Sequence, residues 1–484
     1  MDTRYQVTDA FTMVHPITLT HGSNARVWDT DEQSYIDFVG GIGVLNFGHC
    51  QPKIVEAITQ QAQSLIHYAY NAAGHLPYQT LMPRLCRWVA ASMHAVNAAT
   101  DPASLSAQDI AAFDTAPYVT DIALSGMLTN SGAEATENAL KIARLKTKRV
   151  GVIAFDGGFH GRTLAAVNLN GKVAPYKRGL GALAGAVYHI PFPSPDNAVS
   201  DQHAIDALTR LFDVETDVDN IGAFILEPVQ GEGGFQRLSP SFAQYLRAFC
   251  DVHGIVLIMD EIQSGYGRTG VPFAFMHLGI TPDLLLLGKS IAGGLPLGAV
   301  IGTDALMNDL PKGSLGGTYS GNPVACAAAN ATFDLMADAA TWESVAHYSE
   351  VIAETVSAWQ ADNLSPWLHG LTGVGAMRGI ELRHDVAGKN PQVMAHILSE
   401  ARARGLLLMP SGKYRHIIRL LPPLTIEPET LQQGLAILKD VLKTIPAHFS
   451  QSSEVNNTKA TATHTAQAQA NETTATPKKV LAAG

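Results

Sequence analysis

The 484 residues carry 46% hydrophobic and 16% charged side chains, a balance that fits a folded chain and excludes one disordered throughout. Single cores rarely grow past ~250 to 300 residues, so two or three structural regions are expected. A formal net charge of -10 argues against a broad nucleic-acid or acidic-membrane surface, though a local basic pocket for a phosphate stays open.

Cys50, Cys86, Cys250 and Cys326 are widely spaced and form no C-x-x-C pair. They are read as buried small apolar residues in a reducing compartment, without a zinc site, another metal site or a disulfide scaffold. Met1 to Gly22 holds no apolar run of signal-peptide length. No stretch approaches the ~20 apolar residues of a membrane span, so the expected address is the cytoplasm.

In chain order, Ala25 to Asp29 and Ser34 to Phe38 alternate as two strands around the turn residues Asp31-Glu32, which predicts a hairpin. The glycine-rich run Gly40 to His49 follows, then a helix near Pro52 to Leu65. Helical periodicity returns over Tyr78 to Val96. Asn97 to Asp114, rich in Ala, Ser, Thr and Asp, reads as a surface excursion with one short helix at Ser106 to Phe113.

Thr129-Asn130-Ser131-Gly132-Ala133 opens an amphipathic helix, Glu134 to Arg144. Unpaired amides and the positive dipole end make this a ready phosphate site; a plain Ser131 N-cap explains the same residues. The strand Val150 to Phe155 ends in Asp156-Gly157-Gly158-Phe159-His160-Gly161-Arg162-Thr163. There an aromatic can stack on a flat ring and an arginine can clamp a carboxylate, although Phe is often core and Arg often solvated. Ile221 to Leu226 is a strand closed by Glu227-Pro228-Val229-Gln230-Gly231-Glu232. Its two acids lack the His or third acid of a metal site.

The most informative stretch runs from Ile255 to Ala299. Ile255-Val256-Leu257-Ile258-Met259 runs into Asp260, and Leu284-Leu285-Leu286-Leu287 runs through Gly288 into Lys289. Short apolar runs bounded by turn residues read as buried parallel strands, whose carboxyl ends open onto the ligand crevice of an α/β sheet. A lysine and an acid aimed into one crevice suit pyridoxal 5'-phosphate, which needs an amine for covalent attachment and an acid beside its ring nitrogen. Gly265-Tyr266-Gly267-Arg268-Thr269-Gly270 satisfies G-x-G-x-x-G. It is discounted as a dinucleotide site, because Glu261 to Ser264 separate it from the strand and Pro272 follows it.

Beyond Lys289, Gly316 to Pro323 is a turn before an Ala-rich helix. From about Leu335 helices alternate with short strands at Val374 to Leu382 and Leu406 to Met409. Arg419 sits inside the apolar run Ile417 to Leu424, a costly place for a charge without a partner. After a helix ending near Ile445, Ser450 to Gly484 has almost no large apolar side chain, and a disordered tail is expected.

The segments around Asp260 and Lys289 resemble the signature of the class III aminotransferases, and the likeness extends over roughly Arg26 to Ile445 apart from the Asn97 to Asp114 excursion. It implies an α/β fold of type I, with a large domain around a mostly parallel sheet and a smaller α/β domain from both chain ends. The implied division is 1–75 and 335–446 for the small domain, 76–334 for the large domain and 447–484 for the tail. It also implies that Lys289 holds the cofactor covalently, Asp260 pairs with the ring nitrogen, Gln263 bonds the phenolic oxygen and Phe159 stacks on the ring. Ser131, Gly132 and Ala133 would cup the phosphate, and Thr318 would reach the phosphate of the partner subunit in a homodimer or dimer of dimers. Ile42 would lie against the substrate chain, Arg162 would bind the distal carboxylate, and Arg419 would receive the α-carboxylate with Glu232 as its alternate partner. The likeness is greatest to 4-aminobutyrate aminotransferases, which use 2-oxoglutarate as acceptor. Ornithine, acetylornithine, lysine, 5-aminovalerate and diamine donors use similar machinery, and an aminomutase, a decarboxylase or a cofactor sensor is the reading from another class.

Overall fold

The computed structural model describes residues 7–8, 10–117, 122–183, 185–383 and 391–445; the expected tail lies outside them. Its centre is a seven-stranded sheet. In chain order the strands are β1 (Leu124–Thr129), β2 (Gly151–Phe155), β3 (Val187–Ile190), β4 (Ile221–Leu226), β5 (Val256–Asp260), β6 (Leu284–Leu287) and β7 (Gly298–Thr303). Across the sheet the order is β1-β7-β6-β5-β4-β2-β3. Only β7 runs against its neighbours, β6 and β1; the other pairs are parallel.

Strands β4, β5 and β6 are buried at every position, as expected of parallel strands covered on both faces. Alternate side chains enter different cores because successive residues point to opposite faces. Val256, Ile258, Leu284 and Leu286 pack with Ala135, Ala139 and Ile142 of the helix Gly132–Thr147. Leu257, Met259, Leu285 and Leu287 pack on the other face with Trp88, Phe242 and Leu246.

A second core joins Ala25, Ile36 and Phe38 to side chains between Val345 and Ile445. The predicted hairpin forms as Arg26–Asp29 and Ser34–Asp37, and Leu406–Leu407 adds to it in parallel, so residues from both chain ends share one sheet. The strand expected at Val374 to Leu382 is instead a hairpin, Leu368–Val374 with Met377–Leu382. Gly375 turns it at φ 59°, where a Cβ would lie 2.1 Å from the Thr269 backbone. The discounted glycine loop builds this junction. Arg268, fully buried, donates to Asn46 Oδ1 at 2.7 and 3.1 Å and to Pro422 O at 2.8 Å, tying the N-terminal segment to the C-terminal portion.

One expectation needs correction. Cys50 is exposed rather than buried, because it stands in a left-handed turn at φ 51° before the helix Pro52–Ser64. The Asn97 to Asp114 excursion contains the expected short helix, Ala107–Ala111, and is anchored to the helix before it. Ile110 is buried, and Asp114 accepts from Arg84 Nε at 2.6 Å, Arg84 Nη2 at 2.8 Å and Trp88 Nε1 at 2.8 Å. Asp114→Ala would leave a buried indole N–H and a guanidinium short of a partner, and should cost about 2 kcal/mol in urea unfolding. A loss below about 0.5 kcal/mol would mean that the segment is not anchored there.

Candidate active site

The carboxyl ends of β5 and β6 open onto a cavity of ≈450 Å³ whose lining includes Asp260 and Lys289. Lys289 follows β6 at φ 45°, in the left-handed region, so the chain turns sharply where its side chain meets the cavity. Burial pulls the Lys289 ammonium below the ordinary lysine range, partly offset by the negative field of Glu227, Asp260 and Glu232. Among the described residues no carboxylate lies within ion-pair distance of it. An amine so placed is more easily neutral, and so nucleophilic, than a solvated one.

Asp260 is 4% exposed. It accepts from His160 Nδ1 at 2.8 Å on Oδ2 and from Ile262 N at 3.1 Å on Oδ1. His160 Nε2 is buried without a partner. On the same cavity, Glu227 accepts from Phe159 N and Gly231 N, both at 2.9 Å, and burial pushes its carboxyl up to about 7. Glu227 therefore fixes two loops rather than acting as a free acid.

At the helix Gly132–Thr147, Ser131 Oγ accepts from Glu134 N at 3.2 Å. Ser131 is thus an N-cap, and the first-turn amides of Gly132 and Ala133, which have no place in the intrahelical ladder, border the same cavity. The two readings of this segment are compatible. A Cβ at Gly132 would sit 2.5 Å from Ile262 Cδ1, so glycine is needed for the helix end to approach the Asp260 loop.

A cluster of charge closes another wall. Arg419, 1% exposed, lies opposite Gly379 on the strand Ile417–Leu420. Its Nη2 donates to Glu232 Oε1 at 2.5 Å, while Nε and Nη1 are buried without partners. Burial favours the neutral acid, but the Arg419 charge outweighs it and holds the Glu232 carboxyl below the ordinary range. The Glu232 carbonyl accepts from Lys172 Nζ at 2.5 Å and Gly412 N at 3.1 Å.

The cavity thus gathers Ser131, Gly132, Ala133, Phe159, Arg162, Glu232, Asp260, Gln263 and Lys289, with Arg419 behind Glu232. It does not gather Ile42 or Thr318. Ile42 is 39% exposed and Val44 lines the wall instead; Thr318 is exposed. Sequence reasoning missed Val44, His160, Lys172 and Tyr176. His160 stands inside the quoted motif next to Phe159, but nothing local to it marks a ring aimed at a residue a hundred positions away. A larger cavity of ≈1200 Å³ beyond Gln230 and Lys172 includes neither Lys289 nor Asp260. Among the described residues no group of His, Cys, Asp and Glu could hold a metal ion, and no helix is long and apolar enough to cross a membrane.

Residues 8–442 match the family described as Aminotransferase class-III. The chain is 57% identical over 438 residues, covering 90% of it and 98% of the relative, to the 2-aminoadipate transaminase of Pseudomonas putida KT2440. It is 39% identical over 427 residues, with 88% and 93% covered, to the 4-aminobutyrate aminotransferase GabT of Escherichia coli K12. Its fold matches that of an ornithine aminotransferase from Toxoplasma gondii, with PLP at partial occupancy in the active site, at TM-score 0.75 and 26% identity over 92% and 94% of the two chains.

Proposed function

This chain belongs to the class III aminotransferases, and we propose that within that family it moves an amino group from a straight-chain acidic amine to 2-oxoglutarate. The family fold is type I and the cofactor is pyridoxal 5'-phosphate. The residues fit that group. Gln263 Oε1 and His160 Nε2 are buried polar atoms without partners at the cavity, and the helix start at Gly132 suits a phosphate.

Lys289 would hold the cofactor covalently, Asp260 would sit against the ring nitrogen, Phe159 against the ring face, Gln263 at the phenolic oxygen, and Ser131, Gly132 and Ala133 around the phosphate. When bound, pyridoxal phosphate supplies an electron sink conjugated to the reacting carbon. Lys289 Nζ, when not holding the cofactor, would take the proton from that carbon. His160 holds Asp260 in place, and the anion of Asp260 keeps a cation favourable opposite it. Exposed Ile42 and Thr318 suit a homodimer in which each subunit completes the other's site, and the cytoplasm is its proposed address.

The observation that carries the substrate reading is the Glu232–Arg419 pair with two Arg419 donors unspent. If Glu232 leaves, Arg419 can bind a carboxylate bidentately; Arg162, at the cavity wall, is placed to take a second. The preferred donor is 2-aminoadipate, giving 2-oxoadipate and glutamate, supported by the relative at 57% identity. A second reading is 4-aminobutyrate, giving succinate semialdehyde and glutamate. It is favoured by the relative at 39% and by the closed pair, which suits a donor lacking an α-carboxylate.

Glutamate formation from 2-oxoglutarate with 2-aminoadipate, 4-aminobutyrate, 5-aminovalerate and N-acetylornithine tests this. The largest kcat/KM is expected with 2-aminoadipate; no glutamate from any acidic donor would overturn the proposal. Arg419→Ala should lower kcat/KM for the 2-oxoglutarate half-reaction by about 30-fold or more. The 2-aminoadipate half-reaction should fall equally, and the 4-aminobutyrate one much less. Equal losses with all three substrates would count against Arg419 as an α-carboxylate site.

A further inference from the structure

Tyr176 lies in the segment after the helix Leu164–Leu169 and does not line the cavity, yet it meets three residues that do. Its hydroxyl donates to Glu232 Oε2 at 3.1 Å. Its ring packs against Phe159 with centroids 5.0 Å apart at 54°. The Arg162 guanidinium lies 5.4 Å over the same ring.

We propose that Tyr176 is a specificity-determining latch: its hydroxyl holds Glu232 on Arg419, so that a ligand must break this bond before Arg419 can receive a second carboxylate. The inference rests on the reading of Glu232 and Arg419 given above and adds the group that sets how readily the pair opens. Glu232 has two carboxylate oxygens, and in the closed state they are divided, Oε1 to Arg419 and Oε2 to Tyr176. Its backbone is fixed by Lys172 and Gly412, so opening is a motion of the side chain alone. Burial and the Glu232 charge push the phenol well above the ordinary tyrosine range, which keeps the oxygen a donor.

The thermodynamic consequence has a definite sign. A bond made only in the closed state lowers apparent affinity for ligands that need the open state and leaves the others alone. Tyr176→Phe keeps the ring under Arg162 and beside Phe159 and removes the donor. Opening becomes easier.

The test titrates the holoenzyme calorimetrically with two unreactive acids. Glutarate carries two carboxylates and needs both arginines; pentanoate carries one and needs only Arg162. In Tyr176→Phe, glutarate should bind about three- to tenfold more tightly than in the wild type, and pentanoate should change by less than about twofold. A general structural role for Tyr176 would weaken both. Glutarate affinity that is unchanged or weakened in the variant, with good binding in the wild type, would overturn the latch alone. Glutarate that binds neither the wild type nor Tyr176→Phe, while pentanoate binds both, would overturn the dicarboxylate reading, and the latch with it.

Discussion

Lys289→Ala is expected to lower kcat for amino transfer by about 10⁴-fold, the size of effect seen when a positioned proton-transfer group is lost. No described side chain can replace it. Lys172 is the other lysine near the cavity, but its Nζ is committed to the Glu232 carbonyl. The variant should fold. Burial lowers the Lys289 pKa, so below the ordinary lysine value the unfolded chain binds this proton more readily than the folded one, and the charge is a burden on the apo-protein. Removing it should raise apo-protein stability at neutral pH. The gain should fade as pH rises from the folded pKa through the ordinary lysine value, above which the amine is neutral in both states. Single-turnover amino transfer together with unfolding at two pH values checks both halves. Activity within about tenfold of wild type would remove Lys289 from the chemistry.

Asp260→Ala carries the second large effect. Asp260 is the buried anion on the cavity wall formed by β5, and its loss also takes the partner from His160 Nδ1. The imidazole would then be left with Nε2 already unpaired. About 10³-fold in kcat is expected at saturating cofactor, because a buried carboxylate there would keep the cofactor's ring nitrogen protonated, the state in which the ring can draw in electrons, and water could not substitute for that fixed charge. Rescue tells the role apart from the fold. His160→Ala leaves the carboxylate in place and should lose much less than Asp260→Ala. Comparable losses would make the pair, rather than the anion, the functional unit.

Asp260, Lys289 and Arg419 are legible in the sequence for one physical reason: each is a charge set in or at the end of an apolar run, where burial is unaffordable without a partner or a task. The central strands are legible for the related reason that parallel strands covered on both faces become continuous apolar runs. Where that logic is absent, less can be read. Leu124 to Thr129 contains Ser125, Gly126 and Thr129 and has no clean alternation, yet it pairs with β7 over its full length. Its place depends on a long-range partner. The hairpin at Leu368 is masked by His369 and Gly370, and its turn depends on Gly375 fitting against Thr269. Asp114 looks like a solvated acid until Arg84 and Trp88 are seen on the neighbouring helix.

The candidate site divides in the same way. Residues that the resemblance places around Lys289 do border one cavity, except Arg419, which stands behind Glu232, and Ile42 and Thr318, which are exposed. The Gly40 to Gly43 turn stands at positive φ throughout, which the glycines permit and Ile42 tolerates at a cost. Tyr176 and Lys172 carry no local mark, because what matters about them is the Glu232 atoms they reach.

The central claim is that Lys289, opposite Asp260, is the amine that carries pyridoxal phosphate. Borohydride reduction of the holoenzyme, followed by proteolysis and mass mapping, tests it directly. A phosphopyridoxyl adduct on the peptide containing Lys289, absent from Lys289→Ala, is the predicted result. An adduct on any other lysine, or protein that takes up no cofactor, would contradict the account.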